Sequence, residues 1–553
     1  MAKKWQFNPN SIYQPRFETL EARVDPNSEV CIFYRLMEGL DWSPWERNYK
    51  KKNMGRPAIP PRIIASAIIW GFIKGIVSSR DLEYECKYNL EFMWLTRDTR
   101  LDHSTIANFK SKHEQQISNI FDNVVGKLAE QELILLESVA TDGTVIRAHN
   151  ARDKTVTAKQ LARAKEKLKQ RISEGLQVNE EKDDEQREKG ELCQIIQMLG
   201  SKEEKYKRKL QEKKAAISRT VHDRQLKKYE QLEQTLQTIH QERKEGGNYT
   251  KKPAQAPQTD PESRVLHLKK DGCAPGYVAV ATSDAHLGFV VDARVSSSKA
   301  EWESQQAAIS KMYEILGRYP KKALGDKLYK DIVTLTFLME KGVMPVVPVK
   351  SLGAIEGDIA YRKDPGKPVA KELWDKLPRE VVGTDKRRKR ISRQAFQFDA
   401  REDCFYCPMG EKLVKRGTCK RYQRRGKVLN RFEYFSPPEQ CVRCPLKHQC
   451  LSKDNKRRKL SRVEGSEVWN EVANHMRFEG GDNEYKKRSH FGETFWGNIK
   501  SRLKFYQFTL RGLKKVNTEM RWLGITYNIN KLVLLLKREK IESESFLEIW
   551  CES

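Results

Sequence analysis

A chain of 553 residues with 104 Lys and Arg against 75 Asp and Glu carries a formal net charge of +29. That length exceeds what one hydrophobic core holds and predicts about two to four domains. The charge predicts a polyanionic partner, nucleic acid rather than a lipid surface, because apolar runs such as Ile63–Trp70 and Leu532–Leu536 are too short to span a bilayer. The leading residues Met-Ala-Lys-Lys-Trp lack the apolar core of a signal peptide, and the 11 cysteines are odd in number and unevenly spread. Both features predict a cytoplasmic protein with reduced thiols and no disulfide framework.

The first 30 residues read as an extended, Pro-containing lead, and helices follow. Gly55-Arg-Pro-Ala-Ile-Pro-Pro61 is a turn and helix start, after which Ile63, Ile64, Ala67, Ile68 and Phe72 recur at helical spacing. Ser78-Ser-Arg-Asp-Leu-Glu83 predicts a cap and first turn, with Ser78 or Ser79 as N-cap. Asp102-His-Ser-Thr-Ile-Ala-Asn-Phe-Lys110 predicts another capped helix, with Ser104 as N-cap. Short helices with tight joints suit a helix-turn-helix DNA reader, and a small packed bundle fits the same pattern.

These residues carry a resemblance. The run Gly55-Arg-Pro … Ile76-Val-Ser-Ser-Arg80-Asp-Leu-Glu83 … Trp94-Leu … Asp102-His-Ser-Thr-Ile106 … Phe109 is similar to the amino-terminal domain of bacterial insertion-sequence transposases. That family carries an Asp-Asp-Glu triad on a ribonuclease-H-like core. The resemblance implies that residues 1–130 form a helical domain that binds transposon-end DNA, with Arg80 among its contacts.

Next comes a strand, Val139 to Ile146, with Asp142 set into it between Ala140, Thr141, Gly143 and Thr144. A carboxylate inside a strand needs a partner, a metal or an exposed sheet end. From about 155 to 246 the chain turns densely charged, and apolar residues at helical spacing (Leu161, Leu168 and Ile172, then Tyr229, Leu232, Leu236 and Ile239) predict two amphipathic helices joined through Glu180–Gly190. This arm either pairs protomers, lies along DNA, or folds only on itself. Beyond the linker at Gly246–Pro257, Thr259-Asp-Pro-Glu-Ser-Arg264 resembles the stretch that precedes the second strand in the same transposases. Strands over Tyr277–Ser283 and Leu287–Val295, a helix over Trp302–Leu316, a strand Lys321–Asp326, a helix Ile332–Met339 and a strand Val343–Val349 complete an α/β order. It predicts a mixed five-stranded sheet of ribonuclease-H-like type, with helices on both faces, over 131–350 and 481–540.

Residues 351–480 break the periodicity and read as a basic, cysteine-rich insertion. Lys386-Arg-Arg-Lys-Arg390 and Arg421-Tyr-Gln-Arg-Arg425 suit phosphate contacts, the second with a ring for base stacking. Cys404-Phe-Tyr-Cys407 and Cys441-Val-Arg-Cys444 are two C-x₂-C pairs, whose spacing lets both sulfurs of a pair face one tetrahedral ion; thiols that merely pack a subdomain are the alternative. The transposase resemblance selects Cys407, Cys441, Cys444 and Cys450 as ligands of one structural Zn²⁺, with Cys404 competing for one place and His448 a lesser candidate.

Last, Glu493, Trp496 and Lys500 fall on one helical face of Tyr485-Lys-Lys-Arg488-Ser-His-Phe-Gly-Glu493-Thr-Phe-Trp-Gly-Asn-Ile-Lys500. The transposases carry Tyr-x₂-Arg-x₃-Glu-x₆-Lys around their third acid. Tyr485, Arg488, Glu493 and Lys500 match, although four residues rather than three separate Arg488 from Glu493. The resemblance implies that Asp142, Asp326 and Glu493 hold Mg²⁺ or Mn²⁺, two ions, and catalyse DNA cleavage and strand transfer. It makes Lys500, Arg488 and Tyr485 DNA contacts, and Tyr329 either a support for the DNA near the cut or a packed core ring. The implied partners are double-stranded transposon ends (terminal inverted repeats) and target DNA, met by a homodimer or higher oligomer in the cytoplasm, at the nucleoid, with no membrane. A non-catalytic remnant and a metal-dependent nuclease are the alternative functions.

Overall fold

The computed structural model describes residues 19–46, 58–170, 202–245, 253–268, 272–297, 301–381, 389–416, 420–424, 427–452, 455–538, 541 and 543–552. Gly55, Arg56 and Pro57, the joint of the arm, Lys386, Arg387, Arg388, Cys419 and Arg425 lie outside them. No helix among the described residues is long and apolar enough to cross a membrane.

The amino-terminal part contains α1 (Glu29–Glu38), α2 (Pro61–Ile73), α3 (Ser79–Tyr88), α4 (His103–Lys112) and α5 (Glu114–Glu130). Ser78 caps α3 by accepting from the Asp81 amide. The cap of α4 is Asp102 rather than Ser104: its Oδ1 takes the Ser104 and Thr105 amides together, while Ser104 lies already inside the helix.

The central sheet is built from β1 (Ser138–Arg147), β4 (Arg264–Leu268), β5 (Gly272–Asp284), β6 (Val290–Ser296), β7 (Lys322–Leu324) and β8 (Met344–Val346); the short β2 (Thr155–Thr157) and β3 (Gln255–Pro257) pair apart from it. β1 lies antiparallel to β5 and parallel to β7, β7 runs parallel to β8, and β6 flanks β5. The sheet is thus mixed, as expected, but has six strands rather than five. β5 is long enough to pair with β1 and β6 and still form a hairpin with β4 at its start.

The arm leaves from β2 and β3. Residues 158–170 are helical, and α6 (Lys202–Glu245) is one helix of 44 residues. Leu161, Leu232, Leu236, Ile239 and Ala256 form a small core of their own at its base. Two shorter helices, α7 (Glu301–Leu316) and α8 (Ile332–Glu340), precede and follow β7; Ile309 and Met312 of the first and Leu338 of the second are buried in the main core.

The stretch without periodicity folds into a second sheet of six strands, β9 (Gln397–Asp399), β10 (Cys404–Tyr406), β11 (Lys412–Lys415), β12 (Lys420–Arg424), β13 (Lys427–Phe435) and β14 (Lys459–Val463), around its own core of Leu352, Phe396, Phe405, Leu413 and Tyr434. The helix α9 (Val468–Phe478) then rejoins the main sheet, with Val468 and Val472 packed near Ala140 and Leu324. Three helices close the chain: α10 (Gly481–Ser501), α11 (Leu513–Lys537) and α12 (Ser543–Glu552).

One apolar core joins the amino-terminal helices to the central sheet. α11 runs through it, with Trp522, Leu523 and Ile529 buried beside Phe121, Val124, Phe109 and Ala293. Two asparagines of α11 finish the open edge of β6. Asn517 and Asn528 each accept from and donate to the backbone of one residue there, Val295 and Val290 respectively. An exposed edge invites a stray strand, and these amides occupy it. α4 is tied to α11 by a buried ion pair, Lys110 Nζ to Glu519 Oε1 at 2.8 Å, whose carboxylate also takes the Thr509 and Leu510 amides. At the far end, α12 returns to α1, where the Trp550 indole donates to the Leu36 carbonyl. The Asp-Pro-Glu-Ser-Arg turn secures the base of the arm to the same frame. Arg264 forks onto Glu242 of α6 at 3.2 and 3.0 Å, Asp260 accepts from the Tyr277 hydroxyl and the Gly512 amide, and Glu262 accepts from the Leu513 amide at the start of α11.

Candidate active site

β1 and β7 set two carboxylates side by side. Ala140 pairs with Leu324 in the parallel register, and two residues further on in each chain stand Asp142 and Asp326. β7 ends at Leu324, so Asp326 lies just past the strand, where it caps the turn Lys327–Tyr329 by accepting from the Leu328 amide at 2.7 Å. The third acid arrives on α10, which crosses β1 at Gly492. A Cβ on Gly492 would stand 3.1 Å from the Asp142 Cβ, so the lack of a side chain is what allows this approach. Trp496, one turn on, donates its indole N–H to the Asp142 carbonyl at 3.3 Å, and Lys500, a turn further, donates to Thr144 Oγ1 at 2.6 Å. Thr144 is two residues from Asp142 and therefore on the same face of β1.

The electrostatics tie the three acids together. Burial pushes the Asp142 carboxyl above the usual carboxylate range; Arg488 pulls it down, while the negative charges of Glu493 and Asp326 push it up. The guanidinium of Arg488 stands between two of the acids, 3.3 Å from Asp142 Oδ1 and 3.6 Å from Glu493 Oε1. Asp142 and Arg488 are mostly enclosed, whereas the Glu493 side chain is 62% exposed and has room to swing. The ring of Tyr485 flanks the guanidinium, its centroid 5.7 Å away. The start of α10 is held to β7 by Lys322, which pairs with Glu484, and His475 reaches both Glu479 and Glu484.

The sequence-predicted residues fall into three groups. Asp142, Asp326, Glu493, Arg488, Tyr485 and Lys500 gather around the middle of β1. Tyr329 is 1% exposed and packed among Leu324, Leu335 and Val346, under Gly325, so its ring serves the core rather than the surface. Arg80 lies exposed on α3. Gly492, Thr144 and the Lys322–Glu484–His475 chain went unread in sequence. Gly492 and Thr144 had signals available: a glycine directly before the acid, and a polar residue two places after Asp142. The neighbouring acids behave as structural groups. Asp284 accepts from the Leu136 and His286 amides and is fully buried, and Asp331 stands at the N-cap of α8.

Among the described residues, no three His, Cys, Asp or Glu side chains stand close enough together to hold a metal ion. The cysteines nonetheless segregate. Cys407, Cys441, Cys444 and Cys450 line one cavity of about 30 Å³, and Cys404 does not. Burial pushes the Cys407 thiol up to about 12 and the Cys450 thiol to about 11, and neighbouring thiols of the set add to both. Cys404 is buried on β10, its thiol directed to Glu402.

Comparison with known families finds two matches. A transposase DDE domain matches residues 406–533, which include Glu493, and a transposase domain (DUF772) matches residues 18–112. No curated protein matches the chain.

Proposed function

We propose that this chain, an insertion-sequence transposase of the Asp-Asp-Glu type, cuts DNA at transposon ends and joins the ends to a target, with Asp142, Asp326 and Glu493 as its catalytic acids. The observation that carries the reading is the shared register of β1 and β7, with Gly492 bringing the helix of Glu493 against the first acid. A ribonuclease-H-like strand order, three antiparallel strands followed by two parallel to β1, is in keeping with it.

Carboxylate oxygens are the ligands that hard divalent cations take, and Arg488, which stands between Asp142 and Glu493, marks the point where positive charge collects; the three acids would have to close on the ions, with Arg488 giving way. Bound Mg²⁺ or Mn²⁺, two ions, would supply an activated water or 3′-hydroxyl and charge for the leaving oxygen. The residues of the chain do the rest. Lys500, held over Thr144, would meet a phosphate, and Arg488 with Tyr485 would turn from the acids to the DNA backbone. A strand-transfer assay with labelled duplex ends and Mg²⁺ tests this. Joined product separates a transposase from a nuclease that only cuts, and no product of either kind would leave a DNA-binding remnant.

Three finer points belong to this reading. Duplex binding is expected to fall by orders of magnitude between about 50 and 200 mM salt, because several phosphate contacts release counterions; a flat titration would count against it. The Cys407, Cys441, Cys444 and Cys450 set is expected to hold one structural Zn²⁺: the four thiols line one small cavity, and they would have to draw closer to make the four-sulfur donor set that zinc takes. Metal analysis of purified protein should find about one zinc per chain, lost in Cys441→Ser/Cys444→Ser; well-folded protein without zinc would leave the thiols as packing. The arm, whose base is fixed and whose length serves no part of the acid site, suits the pairing of protomers on DNA, in the cytoplasm at the nucleoid.

A further inference from the structure

We infer that α3 is a duplex-DNA contact surface, with Arg80 and Lys87 on phosphates and the paired rings of Tyr84 and Tyr88 against the sugar-phosphate edge. The inference rests on the reading of the chain as a DNA-acting enzyme and goes further by naming the helix and the side chains. α3 buries one face only, through Leu82 and Cys86. Its opposite face presents residues 80, 84, 87 and 88, which helical geometry gathers into a stripe roughly 100° wide. All four are exposed, and Tyr84 and Tyr88, at 61% and 60%, are unusually open for rings of that size.

The two rings pack on each other, centroids 4.7 Å apart, and the Lys87 ammonium stands 5.1 Å from the centroid of Tyr88. The pair is thus stiff before any partner arrives, and a stiff aromatic contact loses little entropy on binding. The helix also carries acids, and most are turned aside. Glu83 pairs with His103 at 2.8 Å and Glu85 accepts from the Asn89 amide group, while Asp81 stands at the margin of the stripe. What remains is cationic and aromatic, with hydroxyls able to donate to phosphate or sugar oxygens, the mix that positions a protein on a duplex.

Position supports the same partner. The joint before α3 turns at Gly75, with φ of +79°, where a Cβ would lie 3.5 Å from the Arg502 carbonyl, two residues beyond Lys500 at the end of α10. The start of α3 and the end of α10 that carries Lys500 are therefore neighbours.

Full-length protein and a fluorescein-labelled 40-base-pair duplex of mixed sequence provide the test. Arg80→Ala/Lys87→Ala should lower the slope of log K against log salt by about 2, near 0.9 for each phosphate no longer neutralised. Tyr84→Ala/Tyr88→Ala should weaken binding about tenfold with a nearly unchanged slope, and Asp81→Asn should tighten it. Thermal melts matching wild type would show that all variants fold, as expected for exposed positions. Wild-type affinity and slope in both double variants, with the wild-type chain still binding and joining DNA, would overturn this inference and leave the proposed function standing. A changed sedimentation coefficient with unchanged DNA binding would overturn it too, assigning the stripe to a second copy of the chain. A wild-type chain that fails to bind the duplex at all would remove both readings together.

Discussion

Asp142→Asn, Asp326→Asn and Glu493→Gln are each expected to reduce cleavage and joining of a labelled transposon end by at least about 10³-fold, the worth of several kcal/mol of charge stabilisation at the reacting phosphate. Each change keeps size and shape and removes one negative ligand. Duplex binding should survive, because the contacts proposed on α3 and the chain's other Lys and Arg side chains lie outside the triad, and it should strengthen where a carboxylate facing phosphate is removed. Asp142→Asn carries a second consequence: Arg488 loses the closer of its two acid partners and is released toward solvent or DNA. The controls are Asp284→Asn, whose carboxylate holds a turn and which should lose stability before chemistry, and Asp331→Asn at the start of a helix, which should leave cleavage near wild type. Near-wild-type cleavage in any triad variant, beside an inactive but folded Asp284→Asn, would move the site elsewhere.

The second large effect is on stability. Lys110→Met should destabilise the protein by about 3–5 kcal/mol, because it strands a buried carboxylate. Glu519 has no exposure at all, and Lys110 is the cation that reaches it, 2.8 Å away. The amides of Thr509 and Leu510 would still point at Glu519, so the charge would keep its hydrogen bonds but not its counterion. The double variant Lys110→Met/Glu519→Gln removes the stranded charge and should recover part of the loss. Urea unfolding of wild type, the two single variants and the double variant gives the coupling directly. A loss below about 1 kcal/mol in Lys110→Met, the scale of a surface pair, would mean that solvent reaches the site.

What could be read in the sequence followed from periodicity and from local chemistry. Strand β1 and the cap of α3 stand within a residue or two of expectation, and the helix of Glu493 is present but begins before Tyr485, at Gly481; each is announced by residues inside it. Asp326 was legible as a carboxylate at a strand end, and its place beside Asp142 depended on a parallel register, which no local pattern encodes. The second sheet went unseen for a related reason. Five of its six strands run to five residues or fewer, two of them to only three, and alternation over so few residues is not a signal. The cap of α4 was misplaced by two residues because Asp102 and Ser104 are both good caps, and only the geometry of the turn chooses between them. The sequence left Tyr329 open between a DNA support near the cut and a packed core ring, and the tight turn, which folds the ring back under Gly325, favours the core. The shared core of the two ends of the chain left no trace in either end alone.

That shared core has a consequence for synthesis. The Leu36 carbonyl waits for an indole 514 residues away. At about 5–20 residues per second, a ribosome needs roughly 25–100 s to make that stretch. Through that interval α1, α2, α4 and α5 have only one another to cover apolar faces that α11 and α12 will later bury. The first helices off the ribosome cannot reach their final packing before the last ones appear, so the part of the chain expected to hold DNA matures together with the part expected to cut it. A nascent or prematurely ended chain would therefore lack its finished grip as well as its third acid, and the newborn enzyme becomes competent in both respects at once.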